Sequence, residues 1–81
     1  MSRETGADVA ALDGVAAELR RTRRVYPAPF NSAHEAWGCI GEEWDELKDA
    51  IRANDRAAAL AEATQLAAMA TRFVADLGGE P

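Results

Sequence analysis

The sequence predicts an all-α fold, in which an antiparallel helical hairpin plus an N-terminal helix assemble into an oligomeric helical bundle. Apolar residues recur at helical spacing in three segments, at about 6–23, 32–53 and 55–77. A segment containing two prolines separates the first two helices, because proline excludes continued helix. The tripeptide Ala-Asn-Asp at 53–55 predicts a tight turn between the last two.

Length and charge limit the possible functions of the chain. Its length of 81 residues predicts one domain over 1–81, with a core at 31–77 and frayed ends at 1–5 and 79–81, and its net charge is −5. A chain of this size buries only about 60% of its unfolded surface, so we expect a homo-oligomer, either a dimer or a tetramer. The negative charge argues against duplex nucleic acid as a partner.

No apolar run approaches the ~20 residues of a membrane span, so no membrane partner is expected. Cys39 is the only cysteine, which excludes an intrachain disulfide and favours a reduced, cytoplasmic location.

The first helix should begin at Thr5, a good N-cap, with Asp8 placed favourably in its first turn. Its apolar positions are Val9, Leu12, Val15, Ala16 and Leu19. Four arginines crowd its last turn: Arg20, Arg21, Arg23 and Arg24. They either complement the helix dipole or form a patch that faces phosphate.

The central helix is amphipathic and unusually acidic. Ser32 and Glu35 have the spacing of a capping box, which predicts its start. One stripe is apolar and contains Trp37, Ile40, Trp44, Leu47 and Ile51. The acidic residues lie on the other side, and Glu43 falls at the edge between the two.

The third helix should be capped by Asn54 or Asp55 and end at the pair Gly78-Gly79. Its predicted inner face consists of Ala59, Ala63, Leu66, Ala70, Phe73 and Leu77, flanked by Met69 and Val74.

Folding the last two helices back about Asn54 makes facing positions sum to about 108. Large residues then oppose small ones, in the pairs Leu47–Ala61, Trp44–Thr64 and Ile40–Ala68. The same register pairs Glu46 with Glu62, and Glu43 with Gln65. Three carboxylates and an amide should therefore converge. Their repulsion is relieved either by a proton or by a divalent cation, since hard cations prefer oxygen ligands.

Two motifs carry a resemblance to a known family. Glu42-Glu43-Trp44-Asp45-Glu46 resembles the E-E-x-x-E motif of the MazG-like all-α nucleoside triphosphate pyrophosphohydrolases. That family follows it with E-x-x-D on the next long helix, where this chain has Glu62-Ala63-Thr64-Gln65. The surrounding residues look like those of small phage and actinobacterial members.

The resemblance implies Mg²⁺ or Mn²⁺ held by Glu43, Glu46, Glu62 and Gln65. It also implies hydrolysis of a nucleoside triphosphate, or a related nucleotide, between the α and β phosphates, which gives a nucleoside monophosphate and pyrophosphate. Glu42 would position or deprotonate the attacking water. Gln65 departs from the family aspartate, and the missing charge should loosen cation binding.

Four further residues are candidates for substrate binding: His34, Trp37, Lys48 and Arg72. Two other interpretations of the function remain open. The chain is a catalytically inactive MazG-like protein that binds or sequesters a nucleotide, or it is a structural helical interaction module.

Overall fold

The computed structural model describes residues 5–78, which form three α-helices and contain no β-strand. The helices are α1 (Gly6–Val25), α2 (Ala33–Arg52) and α3 (Arg56–Leu77). The all-α prediction is confirmed, although α1 extends two residues further than its apolar pattern suggests. The expected fraying at 1–5 and 79–81 lies outside the described residues, apart from Thr5, which caps α1.

The helix starts follow the side-chain capping that the sequence predicts, with one correction. The complete capping box forms at Thr5, whose Oγ1 accepts from the Asp8 N–H at 3.0 Å while its own N–H donates to Asp8 Oδ2. At α2 only one of the two hydrogen bonds of a capping box forms. Ser32 Oγ accepts from the Glu35 N–H, but the Glu35 carboxylate accepts from Asn31 instead.

The turn between α2 and α3 uses both candidate cap residues. Asn54 adopts a left-handed φ of 55°, which asparagine tolerates better than most residues. Asp55 is the N-cap of α3, because its Oδ1 accepts from the Ala58 N–H at 3.0 Å. A tight turn of three residues therefore separates α2 from α3.

The central element is α3, which packs against both α2 and α1. The backbones of α1 and α2 do not approach each other within 8 Å in the described chain. As a result, α1 and α2 lie on either side of α3 and leave a space between them.

The buried core is small, and this corrects part of the predicted apolar stripe. Among residues 5–78, the buried apolar residues are Phe30, Ala36 and Ala68. Ile40 and Leu47 are half-buried as expected. Trp37, Trp44 and Ile51 are instead 71%, 55% and 57% exposed. They lie on the flank of α2 that α3 does not cover.

The inner face of α3 also differs from the prediction. Ala63, Ala70 and Leu77 are exposed, and the buried residues of this helix are Ala68 and Arg72. The prediction of this face took into account only one helix packed against α3. Because α3 contacts two, its buried face is centred between them and is rotated away from the predicted stripe.

A polar cluster ties the segment before α2 to the end of α3. Asp76 accepts two hydrogen bonds from Arg23, at 2.6 and 3.1 Å, and a third from the Phe30 N–H at 2.9 Å. Arg72 donates to the carbonyls of Tyr26 and Ala28, and its guanidinium lies 5.2 Å from the centre of the Phe30 ring. These contacts fix residues 26–30 against α3.

None of the helices within residues 5–78 combines the length and apolarity needed to cross a bilayer.

Candidate functional site

Three carboxylates from two helices meet at one place. One oxygen each from Glu43 and Glu46 on α2 and from Glu62 on α3 lie within 4.8 Å of one another. Glu43 and Glu62 are half-buried, and Glu46 is exposed. The i, i+3 spacing places Glu43 and Glu46 on one side of α2, and Glu62 of α3 lies close to both.

Gln65 belongs to the same cluster. With its amide nitrogen facing the carboxylates, Gln65 donates to Glu43 Oε2 at 2.9 Å and to Glu62 Oε2 at 3.3 Å. The amide therefore partly satisfies the negative charge of the cluster. Rotating the amide by half a turn presents its oxygen instead, which is the orientation a cation ligand needs.

The electrostatics of the cluster show the cost of bringing these groups together. Partial burial, followed by the charges of Glu46 and Glu62, raises the pKa of Glu43 to about 7. A side-chain hydrogen bond with Glu46, then desolvation and the Glu46 charge, raise the pKa of Glu62. Glu43 and Glu62 thus hold protons more tightly than isolated glutamates do.

The donor set suits a hard divalent cation. Mg²⁺ takes oxygen ligands at about 2.1 Å, so two ligands on opposite sides lie about 4.2 Å apart. The carboxylate oxygens lie within 4.8 Å of one another, close to that span. Small side-chain rotations of Glu43, Glu46 and Glu62, with the Gln65 amide turned, would complete a set of four oxygen donors.

A cavity of about 610 Å³ adjoins the carboxylate cluster and lies between α1 and α2. Glu43 and Gln65 belong to both features. The other residues that line the cavity include Glu18, Arg21, Tyr26, Asn31, Glu35, Cys39, Glu42, Met69 and Arg72. A volume of this size falls within the range of small-molecule sites in proteins.

The remaining predicted site residues divide into two groups. Glu42 and Arg72 line the cavity. His34 and Trp37 pack edge to face, with ring centres 6.2 Å apart, and border a shallow groove with Phe73 instead. Lys48 forms an exposed ion pair with Asp45 at 3.4 Å and does not line the cavity.

Arg72 is only 3% exposed, and its guanidinium is engaged by backbone carbonyls and the Phe30 ring. Its contacts are therefore those of a residue that holds the chain together, and we assign it no phosphate contact.

The cavity is also lined by residues of α1 and of the following segment, which were not among the candidate site residues. Arg21 lines the cavity and pairs with Glu18 at 2.6 Å, and its pKa is raised chiefly by that pair. Tyr26 and Asn31 line the cavity from the segment before α2. The arginine-rich end of α1 was the available signal, but the pattern alone could not identify which arginine faces inward.

No family model, curated protein or solved structure significantly matches the chain. The similarity to the MazG-like superfamily therefore rests on the two motifs.

The raised pKa of Glu43 predicts an unusual pH dependence of stability. The folded state keeps this proton up to about pH 7, whereas the unfolded chain releases it near the ordinary value of 4.5. The stabilisation is therefore complete below 4.5 and is lost as pH rises through about 7. Urea unfolding of wild type and Glu43→Gln at a series of pH values, in the presence of a metal chelator, measures this effect. The unfolding free energy of wild type relative to the variant should fall over this interval, and a constant difference would contradict it.

Proposed function

We propose that this chain is a divalent-cation-dependent nucleoside triphosphate pyrophosphohydrolase of the MazG-like superfamily. It would cleave between the α and β phosphates and release a nucleoside monophosphate and pyrophosphate. The observation that carries this proposal is the convergence of Glu43, Glu46 and Glu62 beside a cavity of nucleotide size. We also propose Mg²⁺ or Mn²⁺ as the cofactor and the cytoplasm as the location.

The architecture that we propose is an antiparallel α2–α3 hairpin within a homo-oligomeric bundle. The pairing of Glu43 with Gln65 supports the antiparallel direction. The approach of Glu46 to Glu62, whose carboxylate oxygens lie within 4.8 Å of each other, supports it too, because residue numbers rise on one helix as they fall on the other.

Each residue of the cluster has a distinct role in this proposal. A bound divalent cation would neutralise phosphate charge and polarise the bond to be cleaved. Glu43, Glu46 and Glu62 would hold it, and Gln65 would turn its amide oxygen toward it. Glu42 lines the cavity next to Glu43 without belonging to the carboxylate cluster. It is therefore free to orient the attacking water or accept its proton.

The cavity wall offers separate contacts for the parts of a nucleotide. Arg21 is a cation on the cavity wall and is the better candidate for a phosphate contact than the buried Arg72. Tyr26 is 70% exposed, so its ring is available to stack on a base. Asn31 and Glu35 supply polar groups, and Met69 supplies apolar surface.

Gln65 favours a second candidate function, in which the chain binds a nucleotide without cleaving it. The cluster supplies three carboxylates where the family motif supplies four. Each missing charge weakens the attraction for a cation, and more so where water is excluded. Such a protein would bind nucleotide and cation together and release no pyrophosphate.

A panel of ribo- and deoxyribonucleoside triphosphates, assayed for pyrophosphate with Mg²⁺ or Mn²⁺, tests the proposed enzyme. Asp49→Asn is the control, because Asp49 is an exposed acid of α2 outside the cluster. Cation-dependent release by wild type and by the control supports hydrolysis. Nucleotide binding without release supports the second candidate, and neither binding nor release would contradict both.

Replacing Gln65 with Asp restores the fourth carboxylate of the family motif. We expect Gln65→Asp to bind Mn²⁺ about tenfold more tightly or better, because an added charge at the cation contributes at least ~1.4 kcal/mol. Its pyrophosphate release should equal or exceed that of wild type. Calorimetric Mn²⁺ titration of both proteins measures the change. Identical affinities would show that position 65 does not contact the cation.

A further inference from the structure

Two polar residues at the start of α2 form a pair on the wall of the cavity. The Asn31 backbone N–H donates to Glu35 Oε1, and Asn31 Nδ2 donates to Glu35 Oε2, both at 3.3 Å. Both residues are exposed and line the cavity, so a molecule inside it can reach them. Each carboxylate oxygen can accept a further hydrogen bond, and the amide nitrogen keeps a second N–H. The pair therefore presents one donor, Nδ2, followed by two acceptors, Oε2 and Oε1.

The acceptor capacity of Glu35 is not used up by the protein. Its two hydrogen bonds from Asn31 are slightly longer than a typical N–H···O bond. No lysine or arginine within residues 5–78 forms an ion pair with Glu35, whereas Glu18 on the same cavity wall is paired with Arg21 at 2.6 Å. Glu35 is therefore the carboxylate at this end of the cavity that can accept from a neutral, donor-rich ligand.

The Asn31–Glu35 pair lies at a suitable distance from the carboxylate cluster to contact the base of a nucleotide. Glu35, Cys39 and Glu43 line the cavity along one helix. Glu43 follows Glu35 by eight residues, which is about 12 Å along the helix axis. A nucleotide whose phosphates reach a cation at Glu43 would thus bring its base to the start of α2. Tyr26, which is 70% exposed and lines the same cavity, can stack on that base.

The order of donor and acceptors on the pair distinguishes the bases. Guanine presents O6, N1–H and the N2 amino group along its Watson–Crick edge, and so offers one acceptor followed by two donors. It can therefore satisfy Nδ2, Oε2 and Oε1 together. Adenine and cytosine offer one amino group beside a ring-nitrogen acceptor and satisfy at most two of the three. Uracil and thymine would place a carbonyl against a carboxylate oxygen. A base that leaves a polar group of the site unpaired binds more weakly.

We propose that this end of the cavity selects guanine, so that the protein takes guanosine or deoxyguanosine triphosphate in preference to other nucleotides. The guanine N1–H and N2 amino group donate to the Glu35 carboxylate, and O6 accepts from Asn31 Nδ2. The inference rests on the nucleotide site of the proposed function, but it does not require hydrolysis. It applies equally to an enzyme and to a protein that only binds the nucleotide.

Nucleoside triphosphate analogues with a methylene group between the α and β phosphates test base selection separately from hydrolysis. In calorimetric titrations with Mn²⁺ present, the guanosine analogue should bind unmodified protein at least about tenfold more tightly than the adenosine, cytidine and uridine analogues. The inosine analogue, which lacks only the N2 amino group, should bind several-fold more weakly than the guanosine analogue. Equal affinities for all the bases, or a preference for another base, would overturn the proposal.

Glu35→Gln keeps the length of the side chain and replaces one acceptor with an amide donor. The guanosine analogue should lose at least about tenfold in affinity, and its advantage over the inosine analogue should disappear. Asp49→Asn, an exposed acid of α2 outside the cavity, should preserve both quantities. Circular dichroism checks that each variant keeps its helices.

The outcomes separate this inference from the proposed function. A guanine preference that Glu35→Gln retains would overturn the assignment of Glu35. Cation-dependent binding of the analogues without a base preference would overturn the guanine proposal alone and leave the nucleotide site standing. Absence of binding for every analogue would contradict the nucleotide site itself, and the guanine proposal with it.

Discussion

Replacing Glu62 with Gln should lower cation-dependent pyrophosphate release at least about 100-fold, which corresponds to about 2.7 kcal/mol of transition-state stabilisation. The substitution keeps the shape of the side chain but removes one of the three carboxylates that converge. The same change should stabilise the cation-free protein. It removes a charge that raises the pKa of Glu43 and that is itself held unfavourably beside Glu46.

The opposite directions of these two effects distinguish a binding site from a structural cluster. Steady-state assays with Mn²⁺ and urea unfolding in chelator, on the same preparations, measure them. Asp49→Asn, an exposed acid on the same helix, should change neither quantity by more than experimental scatter. A variant that loses activity because it is less stable would contradict the assigned role of Glu62. A fully active variant would contradict the proposed cation site.

Asp76→Asn should reduce the free energy of unfolding by about 3–5 kcal/mol, because it leaves the buried Arg72 and the partly buried Arg23 without their counter-charge. Asp76 pairs with Arg23 at 2.6 Å, and Arg72 Nε lies 3.5 Å from the same carboxylate. The side chains of Asp76 and Arg72 are only 7% and 4% exposed. For a chain of this size the loss corresponds to a fall of at least about 12 °C in the thermal midpoint. Thermal and urea unfolding measure it.

The pH dependence of this pair separates charge from packing. Arg23, with help from the Phe30 N–H and Arg72, holds the pKa of Asp76 below its ordinary value of 3.8. The stabilisation is therefore complete above that value and is lost as pH falls through the folded-state pKa. Wild type and Asp76→Asn should thus converge in acid. Asp45→Asn is the control, since its ion pair with Lys48 is exposed and should contribute less than about 1 kcal/mol.

The local features of the fold could be predicted from the sequence, because each depends on residues that are close together in the chain. Thr5, Ser32 and Asp55 mark the helix starts, since each side chain accepts from a backbone N–H three residues on. The short turn after α2 predicted that Glu46 approaches Glu62, and their carboxylate oxygens lie within 4.8 Å of each other. Helical periodicity and one tight turn were therefore sufficient to predict the carboxylate cluster.

The remaining features depend on contacts between distant parts of the chain. Asp76 forms hydrogen bonds with Arg23 and Phe30, which are 53 and 46 residues away in the sequence. No periodic pattern predicts pairs of this kind. The same network explains why Arg72, a candidate phosphate contact in the sequence, is buried. The exposure of Trp37 and Trp44 could not be predicted either. An apolar stripe in the sequence does not show whether residues of the same chain or of another copy cover it.

A crystal structure of the protein grown with Mn²⁺, with anomalous scattering measured at the manganese absorption edge, tests the central claim most directly. The account predicts one anomalous peak per chain, about 2.2 Å from carboxylate oxygens of Glu43, Glu46 and Glu62. The Gln65 amide oxygen should be turned toward it. A map without a peak at this cluster, or with the peak on other residues, would contradict the proposed site and the function that depends on it.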